Sequence, residues 1–355
     1  MAETRENVKK ENRKARRQGK SSISDVARLA GVSVGTVSNA LNSVGYVKDS
    51  TRKLVLDAAK ELGYVPNRAG RILKTAKTGL IMLALPDTSN EIYFGMIEGV
   101  QETVKKQGYS MLLYYTNGKL NEELQAVRLL QERVVDGLFM VHFSYDQELL
   151  DAVLQTPAPI VLCGMCNHLW ANQGYPFDTI SIDVQQGIHD AVKHLASMGH
   201  SRIGYLAGPK GLEVYRQRYE GFQTAMEECG LICPETYVQW NDYNERGGYN
   251  SGRILFQMQD RPTAICASND QQAIGCWEAV HDLNGKIPED IALTGLDNLK
   301  ISKILDITSF GMHEDEMGEE AARMILARLK YPAEEPQNLY FRPRLMVRKS
   351  SLEKI

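Results

Sequence analysis

The 355-residue chain has no apolar run close to the roughly 20 residues that span a bilayer. Its first 20 residues are charged and carry no apolar segment of the secretory-signal kind, so a cytoplasmic location without a membrane partner is expected. Cysteine is scarce. Six in a chain this long do not make a small secreted disulfide framework, and reduced thiols are expected. Cys163-Gly-Met-Cys166 with His168 lacks a second Cys/His pair at matching spacing, and Cys229 and Cys233 have no histidine nearby, so no metal site is predicted. There is no Gly-rich phosphate loop, nucleophile elbow or His-Glu-x-x-His pair. The acidic stretch His313–Glu320 lacks the alternating ligands of a calcium loop. Neither catalysis nor a cofactor is expected.

What the chain does have is a lopsided charge. Its net of −3 hides 17 Lys and Arg against 7 Asp and Glu in residues 1–77, a net of +10. The remainder holds 24 against 37, a net of −13. A basic N-terminal fifth on an acidic body fits a nucleic-acid reader joined to a part that should avoid DNA. Residues 1–20, with eight basic and three acidic side chains and almost nothing to bury, read as a basic disordered tail.

Residues 22–42 carry the clearest local signal. Ile23, Val26, Ala27 and Ala30 recur at helical spacing, with Ser22 or Ser24 and Asp25 placed to cap the start. Gly31 breaks the pattern, and Ser33 restarts it with Val37, Ala40 and Leu41 on one face. Two short helices around a tight glycine turn make a helix-turn-helix, whose second helix can lie in a DNA major groove. Ser33, Val34, Thr36, Ser38 and Asn39 then stand on or beside its open face. Asn can bond adenine N6 and N7 together, and a Val or Thr methyl can touch a thymine methyl. An ordinary pair of surface helices shares much of this pattern, and the residues beyond Asn42 separate the two readings.

Gly45–Arg52 leads into a third helix with Asp49 or Ser50 as cap, Leu54, Val55, Ala58, Ala59 and Leu62 inward, and Gly63 as stop. Then comes Tyr64-Val-Pro-Asn-Arg-Ala-Gly-Arg-Ile-Leu73. With its runs DVARLAGVS, TVSNALN and TRKLVLDAAKELGYVPN, the stretch 22–73 resembles the DNA-binding headpiece and hinge of the lac repressor family of bacterial transcription regulators. The layout of the remaining chain is similar to that family's ligand-binding core.

The resemblance implies a homodimer whose two headpieces, residues 21–66, read a pseudo-palindromic double-stranded operator. Its DNA-contacting set maps onto Ser22, Ser33, Val34, Gly35, Thr36, Ser38, Asn39, Asn42 and Tyr46, and in the hinge onto Asn67, Arg68, Arg71 and Leu73. It also implies that hinge residues 67–77 fold only on DNA, with Leu73 wedging into the minor groove. A helix that short is marginal alone in water, and Gly70 costs it about 1 kcal/mol relative to Ala.

From Leu80 onward apolar strand-like runs alternate with helical patterns: 80–85, 109–115, 137–141, 159–163 and 179–183 as strands, then 202–207, 263–267 and 291–295. This alternation predicts parallel sheets flanked by helices, an α/β core behind an all-α headpiece. By resemblance the core has two lobes of the periplasmic sugar-binding kind, residues 78–183 with 314–341 and 184–313 with 342–355. A small-molecule effector should sit between them at the carboxyl ends of the strands.

Positions matching the family's effector contacts are Asn90, Tyr93, Phe94, Cys163, Arg218, Tyr243, Asn269, Asp270 and Asp297. An Arg fork, amides, carboxylates and stacking aromatics suit a polyhydroxylated ring, so a sugar or sugar derivative is expected. Two departures stand out. Cys163 replaces an Asp found in many members, and Leu212 and Val214 replace a polar pair of the purine-binding branch, which argues against a purine. In the loop 166–177, Trp170 or Tyr175 could reach the cleft. The expected function is a ligand-responsive repressor of carbohydrate-utilisation genes. A sugar receptor without DNA function is disfavoured by the intact residues 22–73, and an α/β enzyme by the lack of a nucleophile–base pair.

Overall fold

The computed structural model describes residues 21–42, 46–65, 72, 76–142, 146–164, 176–211 and 213–352. The basic tail, the hinge residues Asn67, Arg68, Gly70, Arg71 and Leu73, and Cys166, His168, Trp170, Tyr175 and Leu212 lie outside the described residues. So do the side chains of Asn42 and Val214. The chain divides into two compact units at Thr78.

The first unit is three helices, α1 (Ile23–Ala30), α2 (Val34–Asn42) and α3 (Asp49–Leu62). Ser22 caps α1 in a reciprocal capping box with Asp25, and Gly31 ends it in the left-handed region at φ 68°. The core is small and made of short side chains: Val26, Ala27, Val37, Ala40, Val55, Ala58 and Ala59. Arg52 ties α3 to α2 by donating to the Ala40 carbonyl at 2.8 Å, a cation at a helix C-terminus. Two expectations fail on α3. Lys48 occupies the cap position with no side-chain bond, so Asp49 is already helical. Leu54 is 56% exposed, because the buried stripe runs through 55, 58 and 59, about 100° round the helix from it.

The second unit begins with β1 (Leu80–Leu85), α4 (Ile92–Lys106), β2 (Ser110–Tyr115), α5 (Leu120–Gln131), β3 (Gly137–His142), α6 (Gln147–Leu154), β4 (Ile160–Gly164) and β5 (Asp178–Ile182). It continues with α7 (Val184–Ser197), β6 (Ile203–Ala207), α8 (Glu213–Glu228), β7 (Val238–Trp240), α9 (Glu245–Phe256), β8 (Ala264–Ala267), α10 (Asp270–Asp282) and β9 (Ala292–Thr294). Last come α11 (Lys300–Ile304), β10 (Ser309–Gly311), α12 (Glu314–Lys330), β11 (Asn338–Phe341) and β12 (Arg344–Met346). A six-stranded sheet has the order β11-β5-β4-β3-β1-β2, and a four-stranded sheet the order β7-β6-β8-β9. Every pairing within both is parallel, whereas β10 and β12 form a small antiparallel pair. The chain passes from the first sheet to α7 through Asp183, returns between Gly311 and Glu314, and leaves again between Phe341 and Arg344. The edge strand β7 has only three residues, too few for a periodic signal, and sequence reading misses it. Among the described residues no helix is long and apolar enough to cross a membrane.

One core carboxyl opposes folding at neutral pH. Glu123 on α5 is only 2% exposed, and its Oε2 has no hydrogen-bond partner. Burial, helped by the Asp146 carboxylate, pushes its pKa up to about 7 from 4.5. Since the folded value lies above the unfolded one, the stability it allows is present below about pH 4.5 and lost as pH rises through about 7. Glu123→Gln should therefore raise stability at pH 8 by roughly 1–3 kcal/mol and have little effect at pH 4.5. Urea melts of both proteins at the two pH values check this; equal shifts at both would overturn it.

Candidate nucleic-acid interface and effector cleft

On α2 the inward positions are Val37 and Ala40. Val34 is 44% exposed, Gly35 is exposed, and Ser38 and Asn39 are partly so, which puts 34, 35, 38 and 39 on one outward face at i, i+4 spacing. Ser33 sits just before the helix and caps it: its Oγ accepts from the Thr36 amide at 3.1 Å and lies 2.9 Å from the Thr36 hydroxyl. Ser22, besides capping α1, donates to Asp25 at 2.7 Å, which with the bonds to Ser22 holds the Asp25 pKa below the usual carboxylate value. Tyr46 is 91% exposed. The helix α2 carries no charged residue, so its outward face offers short polar and methyl groups.

The second unit gathers polar groups at the carboxyl ends of its strands. Arg218, on α8, is 2% exposed and donates to the Ser268 carbonyl at 2.8 Å. The hydroxyl of Tyr243 donates to the same carbonyl at 3.2 Å, and its ring lies 5.0 Å from the guanidinium and 4.7 Å from the Tyr215 ring. Gly208, directly after β6, leaves room for these rings: a Cβ there would stand 2.7 Å from Tyr215 and 2.9 Å from Tyr243.

Facing this group is Asp297, 3% exposed, in a backbone conformation with φ +120° that side chains rarely adopt. Its Oδ1 is buried without a hydrogen-bond partner. Burial raises its pKa well above the carboxylate range; Arg218 pulls it down in part, and Asp270 and Glu314 push it up again. Tyr93, on α4, is 7% exposed, and its proton is held mainly by burial and then by Asp297 and Cys163. The Cys163 thiol, 5% exposed at the end of β4, is pushed up to about 12 by burial and stays neutral. Arg218, Tyr243, Asp297, Tyr93 and Cys163 are thus brought together.

Four other predicted contacts are placed differently. Asn269 and Asp270 are fully buried and already bonded within the protein. Asn269 caps α10 through the Gln272 amide at 2.9 Å and donates to the Tyr243 carbonyl. Asp270 accepts from the Ser309 hydroxyl at 2.6 Å and the Leu299 amide at 2.7 Å. These two shape the cleft wall, and their direct contact with an effector stays a proposal. Asn90 turns its Oδ1 to the Ile92 amide at 3.1 Å, and Phe94 is 55% exposed.

Sequence reading missed Glu314, Tyr215 and the Ser268 carbonyl. Glu314 and Met312 flank the return crossover and line the same cavity as Tyr93 and Cys163. A larger cavity of about 180 Å3 lies at the start of β5, where Asp178 is consumed by Arg328 at 2.6 Å. It sits at the amino end of a strand, away from the polar cluster. Among the described residues no group of three or more His, Cys, Asp and Glu is placed to hold a metal ion.

A helix-turn-helix unit followed by paired parallel sheets with a polar cleft defines a DNA-binding transcriptional regulator with a periplasmic-binding-protein-like core. Residues 22–67 match the lacI family of bacterial regulatory proteins, and residues 192–351 a periplasmic binding protein-like domain. The chain is 31% identical over 331 residues to the HTH-type transcriptional repressor PurR of Photobacterium profundum, covering 92% of this chain and 98% of that one. It is also 31% identical over 336 residues to the ribose operon repressor of Escherichia coli, covering 93% and 99%. A solved complex of the transcriptional regulator CelR with cellobiose superposes with TM-score 0.67 at 27% identity, covering 93% of this chain and all of that one. The lac repressor dimer bound to operator and an anti-inducer shares the fold, with TM-score 0.80 at 24% identity over 94% of this chain and all of that one. The chain belongs to the lacI family.

Proposed function

We propose that this chain is a cytoplasmic, homodimeric, non-enzymatic repressor of carbohydrate-utilisation genes. Two headpieces bind a pseudo-palindromic operator, and a sugar-like effector binds between core lobes 78–183 with 314–341 and 184–313 with 342–355. The effector reading rests above all on Asp297. A buried carboxylate oxygen without a partner costs free energy that a ligand hydroxyl would recover. Arg218 beside it supplies donors, and Tyr215, Tyr243 and Tyr93 supply ring faces, the mixture a polyhydroxylated ring needs. Two of the relatives carry sugars in their names, ribose and cellobiose, which supports the same class. The effector then acts by binding one of two states of the regulator more tightly, since equal affinity for both would shift nothing.

The DNA reading rests on the uncharged outward face of α2, with Asn39 as the group best suited to a base edge. Asn39→Ala should lower affinity for an operator selected from random DNA by roughly 1–3 kcal/mol and relax preference at one base position. Binding to random DNA should barely change, since phosphate contacts carry that affinity. Gel shifts at one salt concentration measure both. Equal losses on operator and random DNA would show that Asn39 reads no base.

A further inference from the structure

Next to Asp297 the wall of the cleft turns apolar. Asp297 donates its backbone N–H to the Phe310 carbonyl at 2.9 Å and forms an isolated parallel bridge with Gly311. The next residue, Met312, borders a cavity of about 40 Å3. The carboxyl ends of β3, β4 and β5 contribute Val141, Cys163 and Ile182 to its wall, α4 contributes Ile92, and α12 contributes Met317. Almost no polar atom faces this space, and the Glu314 carboxylate at its border does not. The cleft therefore has two unlike parts side by side: a polar one at Asp297 and Arg218, and a small one of carbon and sulfur.

Size and lining together limit what enters the small part. The cavity is about three times the ~10–15 Å3 that one water requires, too little for a second sugar ring. A water also needs two to four polar partners, and apolar cavities stay dry. A charged group would lose its hydration there for no partner, and an acetamido group would bury an amide in the same way. The substituent on C5 of a sugar ring then decides the fit. A pentose in its six-membered ring form carries only hydrogen there and leaves the cavity unfilled. A hexose brings a hydroxymethyl, whose hydroxyl exchanges water for carbon and sulfur. A 6-deoxyhexose brings a methyl, which gains by leaving water and gives up no hydrogen bond. The flexible thioethers of Met312 and Met317 close around such a group without strain.

We infer that the effector is a 6-deoxyhexose, whose C6 methyl fills the cavity between Ile92, Val141, Ile182 and Met312 while its ring hydroxyls meet Asp297 and Arg218. The inference deepens, and rests on, the reading of the cleft as a carbohydrate effector site. A hydrophobic pocket rejects an added hydroxyl by up to about 100-fold, and a missing carbon by roughly 10- to 200-fold, so the methyl sugar should exceed both its hexose and its pentose.

Calorimetric titration of the full chain tests it with sugars in matched sets that differ only at C6. L-fucose is set against L-galactose and D-arabinose, D-fucose against D-galactose and L-arabinose, D-quinovose against D-glucose and D-xylose, and L-rhamnose against L-mannose and L-lyxose. In at least one set the 6-deoxyhexose should bind about ten-fold or more tighter than both companions. Val141→Ile adds one methyl to the cavity wall and should remove the advantage of that 6-deoxyhexose over its pentose. Thermal melts confirm that the Ile protein is folded. A hexose or pentose that binds as tightly as its 6-deoxy companion in every set overturns the inference while leaving the cleft a sugar site. An Ile protein that keeps the whole advantage also overturns it, since the methyl then lies elsewhere. A panel in which no sugar binds at all overturns the carbohydrate reading, and the 6-deoxyhexose with it.

Discussion

Arg218→Met should weaken effector binding at least 100-fold while leaving operator affinity without effector unchanged. The guanidinium is 2% exposed, already oriented by the Ser268 carbonyl at 2.8 Å, and stacked 5.0 Å from the Tyr243 ring, so it is pre-organised for ligand. Hydrogen bonds to a charged group are worth about 1.5–3 kcal/mol each, and losing two is worth at least about 3 kcal/mol, or two decades in Kd. Methionine keeps most of the volume without the fork of donors. The hazard is Asp297, which loses its counter-charge; breaking a buried pair costs about 3–5 kcal/mol when the partner stays ionised. Burial already raises the Asp297 pKa, so protonation limits that cost. The double variant Arg218→Met/Asp297→Asn removes both charges and should melt close to the wild type. Mobility shifts with and without effector, read beside thermal melts, decide the matter. A well-folded Arg218→Met protein released from DNA at the original effector concentration would place the effector elsewhere.

The headpiece was legible from its residues because its signals are local. Ser22 with Asp25, Gly31 and the Val37–Ala40 stripe each act within one or two turns. Even there, Leu54 went wrong, since in an apolar Leu54-Val55-Leu56 run the inward member depends on where α1 and α2 lie. The sheets were legible through their uninterrupted apolar runs, but β7 was too short. The cleft was only half readable. Arg218 and Asp297 stand out as charges beside strand ends, yet so does Asp270, and nothing nearby in sequence reveals that Ser309 and Leu299 occupy it. Glu314 is the reverse case. It reads as one more acid in a charged helix start, and only the return crossover brings it to Tyr93 and Cys163, more than 150 residues earlier. Leu73 lies outside the described residues, so the sequence-based expectation for it remains a proposal.

Gly275→Ala should destabilise the core by about 3 kcal/mol or more, although alanine is the better helix former by about 1 kcal/mol. The reason is the crossing of α9 and α10, where backbone rather than side chain makes the contact. A methyl on Gly275 would fall on the carbonyl oxygen of Glu245 and 2.7 Å from the Tyr249 amide nitrogen. Gly248 on the facing helix meets the Gln272 carbonyl in the same way, and a methyl on Gly252 would lie 2.7 Å from the Cys276 sulfur. No rotamer change relieves a clash with a carbonyl inside a helix, so the helices must part. Separation strips contacts from the whole pair, which is why the cost exceeds the usual 1–3 kcal/mol of overpacking in a side-chain core. Gly35 on α2 provides the contrast, since a methyl there meets nothing nearer than the Ser33 hydroxyl at 3.7 Å; Gly35→Ala should leave headpiece stability equal or higher. The parting of α9 and α10 also reaches the cleft, because α10 begins at Asp270 with Asn269 as its cap, and these bond Tyr243, Ser309 and Leu299. Gly275→Ala protein that remains folded should thus need more effector for the same release from DNA. Urea denaturation and effector titration of that variant measure the two effects, and an unchanged unfolding midpoint would mean that the two helices do not cross backbone to backbone.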